Sequence, residues 1–332
     1  MTPTTAIVGA GLMGRWHAHA AERAGATIVA VVDPLGPQAA ALASRHRGAI
    51  PFPSLAAALA DRPVSSVHIC TPPDSHEALA REALAAGAHV LIEKPFAPSV
   101  AATAAILAQA EAAGRLAVPV HQLPFQHGVR EAMRLLPKIG TLRHFHHLIC
   151  SAGADGTSPE RADQIAQEVL PHPFSLVQAL LPAALDGVVW RAERPGHGQL
   201  ILQGSQAGVG MQFVISMAGR PPVNQAILIG TLGTLRLDLF HGYLVQEAGT
   251  ATRGAKIRRP FGLAIRQLTA AGSNLVRRLA HGEVAYPGLD ALVKAFYAAI
   301  AGTAPPPISA RQTLEVARAC AAIRSAVFST KA

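Results

Sequence analysis

The chain has 332 residues and a mass of 34.5 kDa, a length that favours two domains over a single compact core. Half of its residues are hydrophobic, 15% are charged and the mean hydropathy is +0.28, which excludes an intrinsically disordered chain. The net charge is +9, but aromatic residues make up only 5% and most basic residues are scattered. This combination argues against a nucleic-acid-binding protein.

The cysteines and the apolar segments indicate in which cellular compartment the protein is expected. Cys70, Cys150 and Cys320 are far apart in the sequence and fit neither a disulfide framework nor a metal site. No uninterrupted apolar run is long enough to span a membrane. The apolar run at Thr5–Val8 meets glycines at once and lacks the basic stretch that precedes a secretory signal. We therefore expect a cytoplasmic protein with no transmembrane segment and no bound metal.

Residues 1–122 alternate short apolar strands with alanine-rich helices. The predicted strands are Thr5–Val8, Thr27–Val32, Val64–Cys70, His89–Ile92 and Leu116–Val120. The predicted helices between them are Leu12–Ala24, Pro37–Arg47, Ser75–Ala86 and Val100–Ala113. Strands separated by helices require parallel crossover connections, and parallel strands are apolar throughout because both of their faces are buried. Residues 1–122 are therefore predicted to form a doubly wound parallel sheet, an α/β domain of the Rossmann type.

Residues 123–332 follow a pattern that is typical of an α+β domain. After a helix at His127–Leu136, strands are predicted at Leu142–Ile149, Val188–Ala192, Gln199–Gln203, Val209–Met217, Gln225–Gly230, Thr234–Phe240 and Tyr243–Gln246. Further helices are predicted at Phe174–Leu181, Phe261–Leu279, Leu289–Ala301 and Ala310–Phe328. Strands that follow each other through short turns indicate an antiparallel sheet. We expect a large, mostly antiparallel, open-faced sheet. The last helix is expected either to stay with this sheet or to pack back on the first domain.

A glycine-rich loop follows the first strand and opens the first helix. It reads GAGLMG over residues 9–14. Gly9 allows a tight turn, Gly11 lets the backbone approach a diphosphate, and Gly14 permits close packing of helix against strand. The helix N-terminus presents free N–H groups to the phosphates. The loop therefore predicts a dinucleotide site, to which the neighbouring residues Leu12 and Met13 also belong.

Asp33 ends the second predicted strand, about 20 residues after the glycine loop, which is the usual spacing in dinucleotide-binding domains. A carboxylate there would bind both hydroxyls of the adenosine ribose and repel a 2′-phosphate. Pro34 follows at a position where an arginine often binds that phosphate, although Arg45 and Arg47 lie a short distance downstream. The predicted cofactor is NAD, with NADP as the less favoured alternative.

The segment from Cys70 to Ala97 carries a family resemblance. It reads CTPPDSH at residues 70–76 and HVLIEKPFA at residues 89–97, and a glycine-rich turn, IGTLGTL, occupies residues 229–235. These motifs resemble those of the Gfo/Idh/MocA oxidoreductases, the family of glucose–fructose oxidoreductase and inositol dehydrogenase. The resemblance covers nearly the whole chain. It implies hydride transfer between nicotinamide C4 and a secondary alcohol or ketone of a sugar, a cyclitol or a nucleotide-linked sugar.

The resemblance also implies site residues, foremost Lys94. In the family this lysine holds the substrate oxygen and relays its proton. Burial at the end of a strand would lower its pKa, and Glu93 would tether it; the alternative is a purely structural Lys–Glu pair. His76, in the first turn of a helix, is expected to donate to the cofactor or else to be a packing histidine. The cofactor-binding residues expected beyond the glycine loop and Asp33 are Thr71, Pro72, Pro73, His76, Glu93, Lys94 and Gln122.

The second catalytic motif of the family is Asp-x-x-x-His, and this chain has Glu168 and His172 in its place. Pro171 and Pro173 prevent a continuous helix, so His172 is expected in the first turn of a new one. The helix dipole there disfavours the imidazolium, which would keep His172 neutral and able to accept a proton. Glu168 is one methylene longer than the family's aspartate, so it is expected to reach either His172 or the substrate.

Two other functions remain open from the sequence. One is an epimerase or glycosidase-type enzyme of the same fold that holds NAD tightly and reoxidises it within each turnover. The other is a protein that binds NAD(H) as a sensor or scaffold without catalysis. Because Lys94 and His172 are both present, the sequence favours a catalyst.

Two surfaces are expected to meet partners other than the small-molecule substrate. Strand Val209–Met217 carries apolar residues on both faces, which predicts a homodimer or homotetramer formed through the open face of the sheet. The basic and apolar segment 256–279 predicts a helix of one of two kinds. Either its arginines bind an anionic, phosphate-bearing substrate, or it is an amphipathic helix that contacts an anionic membrane.

Overall fold

The computed structural model describes residues 2–181, 185–249, 252–283 and 285–328. The chain divides into two compact units. The first comprises Met1–His121 together with Leu289–Ala317, and the second comprises Gln122–Gly288 together with Arg318–Ala332.

The first unit is built on a six-stranded parallel sheet. Its strands are β1 (Thr4–Val8), β2 (Thr27–Val32), β3 (Ile50–Phe52), β4 (Ser66–Ile69), β5 (His89–Ile92) and β6 (Ala117–Pro119). Its crossover helices are α1 (Leu12–Arg23), α2 (Gly36–Ala43), α3 (Leu55–Asp61), α4 (His76–Ala85) and α5 (Val100–Ala112). The strand order β3-β2-β1-β4-β5-β6 reverses direction beside β1, and ligands of such sheets bind at the carboxyl ends of the strands there. The predicted Rossmann domain is confirmed.

Two short elements of this unit go beyond the prediction. Strand β3 has three residues with Pro51 at its centre and pairs only with β2 at the edge of the sheet, where a proline is tolerated. Helix α3 is seven residues long and begins after Ser54, whose hydroxyl accepts a hydrogen bond from the Ala57 N–H. Both elements are too short to show a clear hydrophobic period.

The second unit contains a seven-stranded sheet. Its strands are β7 (Leu142–Cys150), β8 (Arg191–Glu193), β9 (Gln199–Gln206), β10 (Val209–Ser216), β11 (Val223–Gly230), β12 (Gly233–Asp238) and β13 (Tyr243–Ala248). Their order is β13-β12-β11-β7-β10-β9-β8, and β7 with β10 is the parallel pair among antiparallel ones. The mostly antiparallel sheet is confirmed.

The remaining helices are α6 (His127–Leu135), α7 (Pro159–Val169), α8 (Pro171–Leu180), α9 (Arg253–Ala280), α10 (Leu289–Ile300) and α11 (Ala310–Phe328). Helix α7 was not among the predicted elements, and α9 begins at Arg253, before the predicted Phe261. Helix α10 belongs to the first unit. In the described part of the chain, no helix combines the length and hydropathy needed to cross a membrane.

The two faces of the second sheet differ in what covers them. On one face, Phe145 and Phe213 pack edge to face with ring centroids 5.5 Å apart, and Phe174 of α8 lies against Phe213. The strand register places Leu148 beside Val214 on the opposite face. Leu148 is exposed there, so this face combines apolar side chains with access to solvent.

Candidate active site

The glycine loop between β1 and α1 has the geometry of a diphosphate cradle. Gly9 has a φ of +94°, and a Cβ at this position would lie 2.8 Å from the carbonyl oxygen of Cys70 at the end of β4. A Cβ on Gly11 would meet no atom within 4 Å, so the backbone is open on the side from which a phosphate would approach. Helix α1 begins after Gly11 without a side-chain cap, which leaves its first N–H groups for an anion. Leu12 is exposed and Met13 is half-buried beside this opening.

Asp33 is buried at the carboxyl end of β2 and is tied to the glycine loop. Its Oδ2 accepts a hydrogen bond from the Ala10 N–H at 2.9 Å, and its Oδ1 accepts one from the Leu35 N–H at 2.9 Å. A carboxylate oxygen accepts more than one hydrogen bond. The two bonds therefore orient Asp33 and leave it acceptor capacity for ribose hydroxyls, which fits an adenosine dinucleotide.

Lys94 follows β5 at the same edge of the sheet and is half-buried. Its peptide bond to Pro95 is cis, and its backbone N–H donates to Glu93 Oε2 at 3.1 Å. Burial raises the pKa of Glu93, but a hydrogen bond from His17 and electrostatic interactions with His17 and Lys94 outweigh that effect and hold the pKa below its usual value. An ionised carboxylate thus lies next to Lys94.

A chain of buried polar side chains holds Glu93 from inside the domain. His17 Nε2 lies 3.1 Å from Glu93 Oε1, and His17 Nδ1 lies 3.0 Å from His68 Nδ1. His68 Nε2 lies 2.9 Å from the hydroxyl of Tyr297. Burial, reinforced by His17, lowers the pKa of His68 well below its ordinary value.

The Glu93 carboxylate can only accept hydrogen bonds, so the N–H at His17 Nε2 donates to it. The contacts of His17 with His68 and of His68 with Tyr297 extend this row of hydrogen bonds away from Glu93. The sequence did not predict this row of hydrogen-bonded side chains. The available signals were the position of His17, one turn after the glycine loop, and a histidine in the middle of the apolar strand β4.

His76 lies beneath the Thr71 loop and is fully buried. Its Nδ1 lies 2.9 Å from the carbonyl oxygen of Pro95, and its Nε2 lies 2.9 Å from that of Thr71. Both ring nitrogens therefore face backbone carbonyl oxygens, which can only accept hydrogen bonds, and the expected donation from His76 to the cofactor stays a prediction. The ring ties the loop after β4 to the turn after β5. Pro72 is exposed on this loop, and Thr71 and Pro73 are half-buried.

His172 is the second residue of α8, which begins at Pro171 after α7 ends at Val169. The predicted break in the helix, with His172 in the first turn that follows, is confirmed. The His172 ring is half-buried, and the backbone carbonyl oxygen of His172 accepts a hydrogen bond from the Ser175 hydroxyl at 3.0 Å.

Glu168, in the last turn of α7, is engaged within its own helix. Its Oε1 accepts a hydrogen bond from Arg161 Nη1 at 2.8 Å, an ion pair. The carboxylate therefore stabilises α7, and neither role expected for Glu168, orienting His172 or contacting the substrate, gains support from this contact.

Gln122 begins the second unit directly after β6 and His121. Its Oε1 is buried and has no hydrogen-bond partner among the described residues. Buried carbonyl oxygens nearly always have a donor. A hydrogen-bond donor on a bound ligand could therefore pair with Gln122 Oε1.

The described residues contain no group of three or more histidine, cysteine, aspartate or glutamate side chains arranged to hold a metal ion. In β7, the rings of His144 and His146 lie on one face with centroids 6.0 Å apart. His147 is buried on the other face, and its Nε2 lies 2.7 Å from Asn224 Oδ1.

Gly14 and Gly11 provide a matched pair of variants for the cradle. A Cβ on Gly14 would collide with the carbonyl oxygen of Gly9, so we expect Gly14→Ala to lower the free energy of unfolding by roughly 3 kcal/mol. Gly11→Ala has open space and ordinary backbone angles. It should keep the stability of the wild type and weaken NADH binding at least about tenfold, because the methyl group meets the diphosphate. Denaturant unfolding and NADH titration measure the two effects; equal losses of stability in both variants would contradict the assignment.

The cradle, Asp33 and the strand order define a dinucleotide-binding domain of the dehydrogenase class. Residues 4–121 match the Gfo/Idh/MocA family, described as an oxidoreductase family with an NAD-binding Rossmann fold. Residues 4–121, within the first unit, thus carry the NAD-binding Rossmann fold that characterises this family.

Two curated relatives resemble part of the chain. The UDP-N-acetylglucosamine 3-dehydrogenase of Acidithiobacillus ferrooxidans is 41% identical over 92 residues, 28% of each chain. The inositol 2-dehydrogenase of Leifsonia xyli is 41% identical over 103 residues, 30% of each chain. The matched region thus spans less than a third of either relative.

A solved structure resembles the whole chain. The WlbA dehydrogenase from Bordetella pertussis, in complex with NADH and UDP-GlcNAcA, gives a TM-score of 0.78 and covers 98% of this chain and 95% of its own. The sequence identity is 16%, so this likeness concerns the fold alone.

Proposed function

We propose that this protein is an NAD-dependent oxidoreductase that transfers a hydride between nicotinamide C4 and a carbon bearing a hydroxyl or keto group. The observation that carries the proposal is the placement of Lys94 at the same carboxyl edge of the sheet as the glycine cradle and Asp33. A dinucleotide site and a group able to transfer a proton are the two components that such a reaction needs.

The residues of the chain would divide the work as follows. The backbone N–H groups after Gly11 bind the diphosphate, and the oxygens of Asp33 accept the ribose hydroxyls. Bound NAD supplies the hydride acceptor or donor. Lys94 holds the substrate oxygen, removing its proton during oxidation and returning one during reduction. His172 is proposed as a second group that exchanges a proton with the substrate.

The proposed substrate is a sugar, a cyclitol or a nucleotide-linked sugar. The names of the relatives support this class, because one acts on UDP-N-acetylglucosamine and another on inositol. A nucleotide-linked substrate would also be anionic. Assembly into a homodimer or homotetramer is proposed as well, supported by exposed Leu148 and Ile229 on the second sheet.

Asp33 provides the test of cofactor choice. We expect the wild type to bind NADH at least about tenfold more tightly than NADPH, because a 2′-phosphate would meet the buried carboxylate of Asp33. Asp33→Asn removes the charge and keeps an acceptor oxygen for the loop, so it should reduce this preference without unfolding the domain. Titration calorimetry with both nucleotides measures the ratio. A wild type that prefers NADPH would make the assignment of Asp33 wrong.

A further inference from the structure

Helix α9 carries a continuous apolar stripe that faces away from the protein. The stripe consists of seven large apolar side chains, each between 59% and 75% exposed: Ile257, Phe261, Ile265, Leu268, Leu275, Val276 and Leu279. At 3.6 residues per turn they fall within an arc of about 100°, along a helix roughly 40 Å long. Proteins that stay in water rarely expose an apolar patch of this extent, so the stripe needs a partner.

The opposite face of α9 fixes the helix to the second unit. Arg259 Nε lies 3.0 Å from Glu247 Oε2 in an ion pair, and Arg266 Nη1 donates to the carbonyl oxygen of Gln246 at 3.0 Å. Farther along, Arg277 Nη2 lies 2.9 Å from Glu283 Oε2. These arginines are spaced to lie opposite the stripe. These contacts engage Arg259, Arg266 and Arg277 within the second unit, and the expected binding of a substrate phosphate by the arginines of this segment stays a prediction.

The charge of α9 indicates what kind of partner the stripe fits. Residues 253–280 contain seven lysines and arginines and no aspartate or glutamate. Arg253, Lys256 and Arg258, near the start of the stripe, form no ion pair with any residue that the structure describes. Two copies of this helix laid against each other would bring like charges together. An anionic surface would be attracted by the same charges.

We propose that α9 is an interfacial helix that lays its stripe on a membrane containing anionic lipids. Its apolar residues enter the boundary between headgroups and acyl chains, as amphipathic helices of low overall hydrophobicity and basic polar face do. The unpaired cations at its N-terminal end bind lipid phosphates. This role is independent of the reaction proposed above, and it would bring the protein to a surface without a spanning segment.

Vesicle co-sedimentation of the full-length protein tests the proposal. Vesicles of phosphatidylcholine alone are compared with vesicles that also contain phosphatidylglycerol. We expect at least about tenfold stronger binding to the anionic vesicles, and weaker binding as salt is raised. A wild type that sediments with neither kind of vesicle would overturn the proposal.

Two variants and a control separate apolar insertion from other causes of binding. Phe261→Ser with Leu268→Ser removes two exposed side chains of the stripe and should weaken binding at least about tenfold. The control, Leu232→Ser with Phe240→Ser, removes two side chains that are 65% and 57% exposed elsewhere in the second unit and should leave binding unchanged. Arg253→Gln, Lys256→Gln and Arg258→Gln together should abolish the preference for anionic vesicles.

Three outcomes would refute the membrane assignment. If the stripe variant binds vesicles as the wild type does, the adsorption is purely electrostatic. If the control variant loses as much binding as the stripe variant, the effect is not specific to α9. If light scattering shows that the stripe variant forms a smaller oligomer than the wild type, and the wild type ignores vesicles, the stripe is an interface between copies of this chain.

Discussion

Replacing Lys94 by alanine is expected to reduce kcat at least about a hundredfold, while the fold and NADH affinity stay close to those of the wild type. A positioned acid–base group typically contributes a factor of about 10² to 10⁴ to the rate. The reason to expect the full effect here is local: Lys94 is half-buried beside the ionised Glu93, at the edge of the sheet that holds the cofactor cradle.

Two controls make the result at Lys94 specific. Lys138→Ala removes a lysine that is exposed in the second unit and should leave kcat unchanged. Lys94→Arg keeps the positive charge but has a pKa too high for proton transfer, so it should lower kcat far more than it raises KM. A Lys94→Ala variant with near-normal kcat would remove this residue from the mechanism.

Replacing His172 by alanine is expected to lower kcat by about a hundredfold as well, because His172 is the proposed second group that exchanges a proton with the substrate. Glu168→Gln is the informative comparison. Since the Glu168 carboxylate is paired with Arg161 in its own helix and exposed ion pairs contribute little to stability, its loss should leave the fold intact and change kcat less than about threefold. Steady-state kinetics of the two variants compare the roles directly. A loss in Glu168→Gln as large as that in His172→Ala would show that the carboxylate acts on the reaction.

Much of the first unit was predictable because its signals are local. The glycine loop requires backbone freedom that Gly9 shows as a positive φ, and the spacing to Asp33 follows from the length of one strand–helix–strand unit. Strands β2 and β5 were predicted to the residue, since apolar runs bounded by glycine or charged residues leave little choice of ends. The hydrogen-bonded chain of His17, His68 and Tyr297 was not predictable, because it joins residues more than 50 positions apart along the chain.

The orientation of side chains was the other element that the sequence left open. The pattern placed His76 correctly in the first turn of a helix, but only packing shows that its ring points at the carbonyl groups of Thr71 and Pro95. In the same way, the apolar period of α9 indicates an amphipathic helix. Which face docks is decided by partners such as Glu247, which lies on the neighbouring strand β13. Helix α9 begins at Arg253, before the predicted Phe261, and includes Pro260, although proline disfavours helix interiors.

The most direct test of the central claim is the fate of a deuterium at the reacting carbon. A UDP-sugar or inositol that the protein oxidises is prepared with deuterium on the carbinol carbon and incubated with NAD⁺. We expect the label to appear at C4 of NADH released into solution, and Lys94→Ala to slow its appearance at least about a hundredfold. Label that returns to a product without net NADH would indicate an epimerase or glycosidase-type enzyme. Binding of NADH without any transfer of label from these substrate classes would contradict the proposed oxidoreductase.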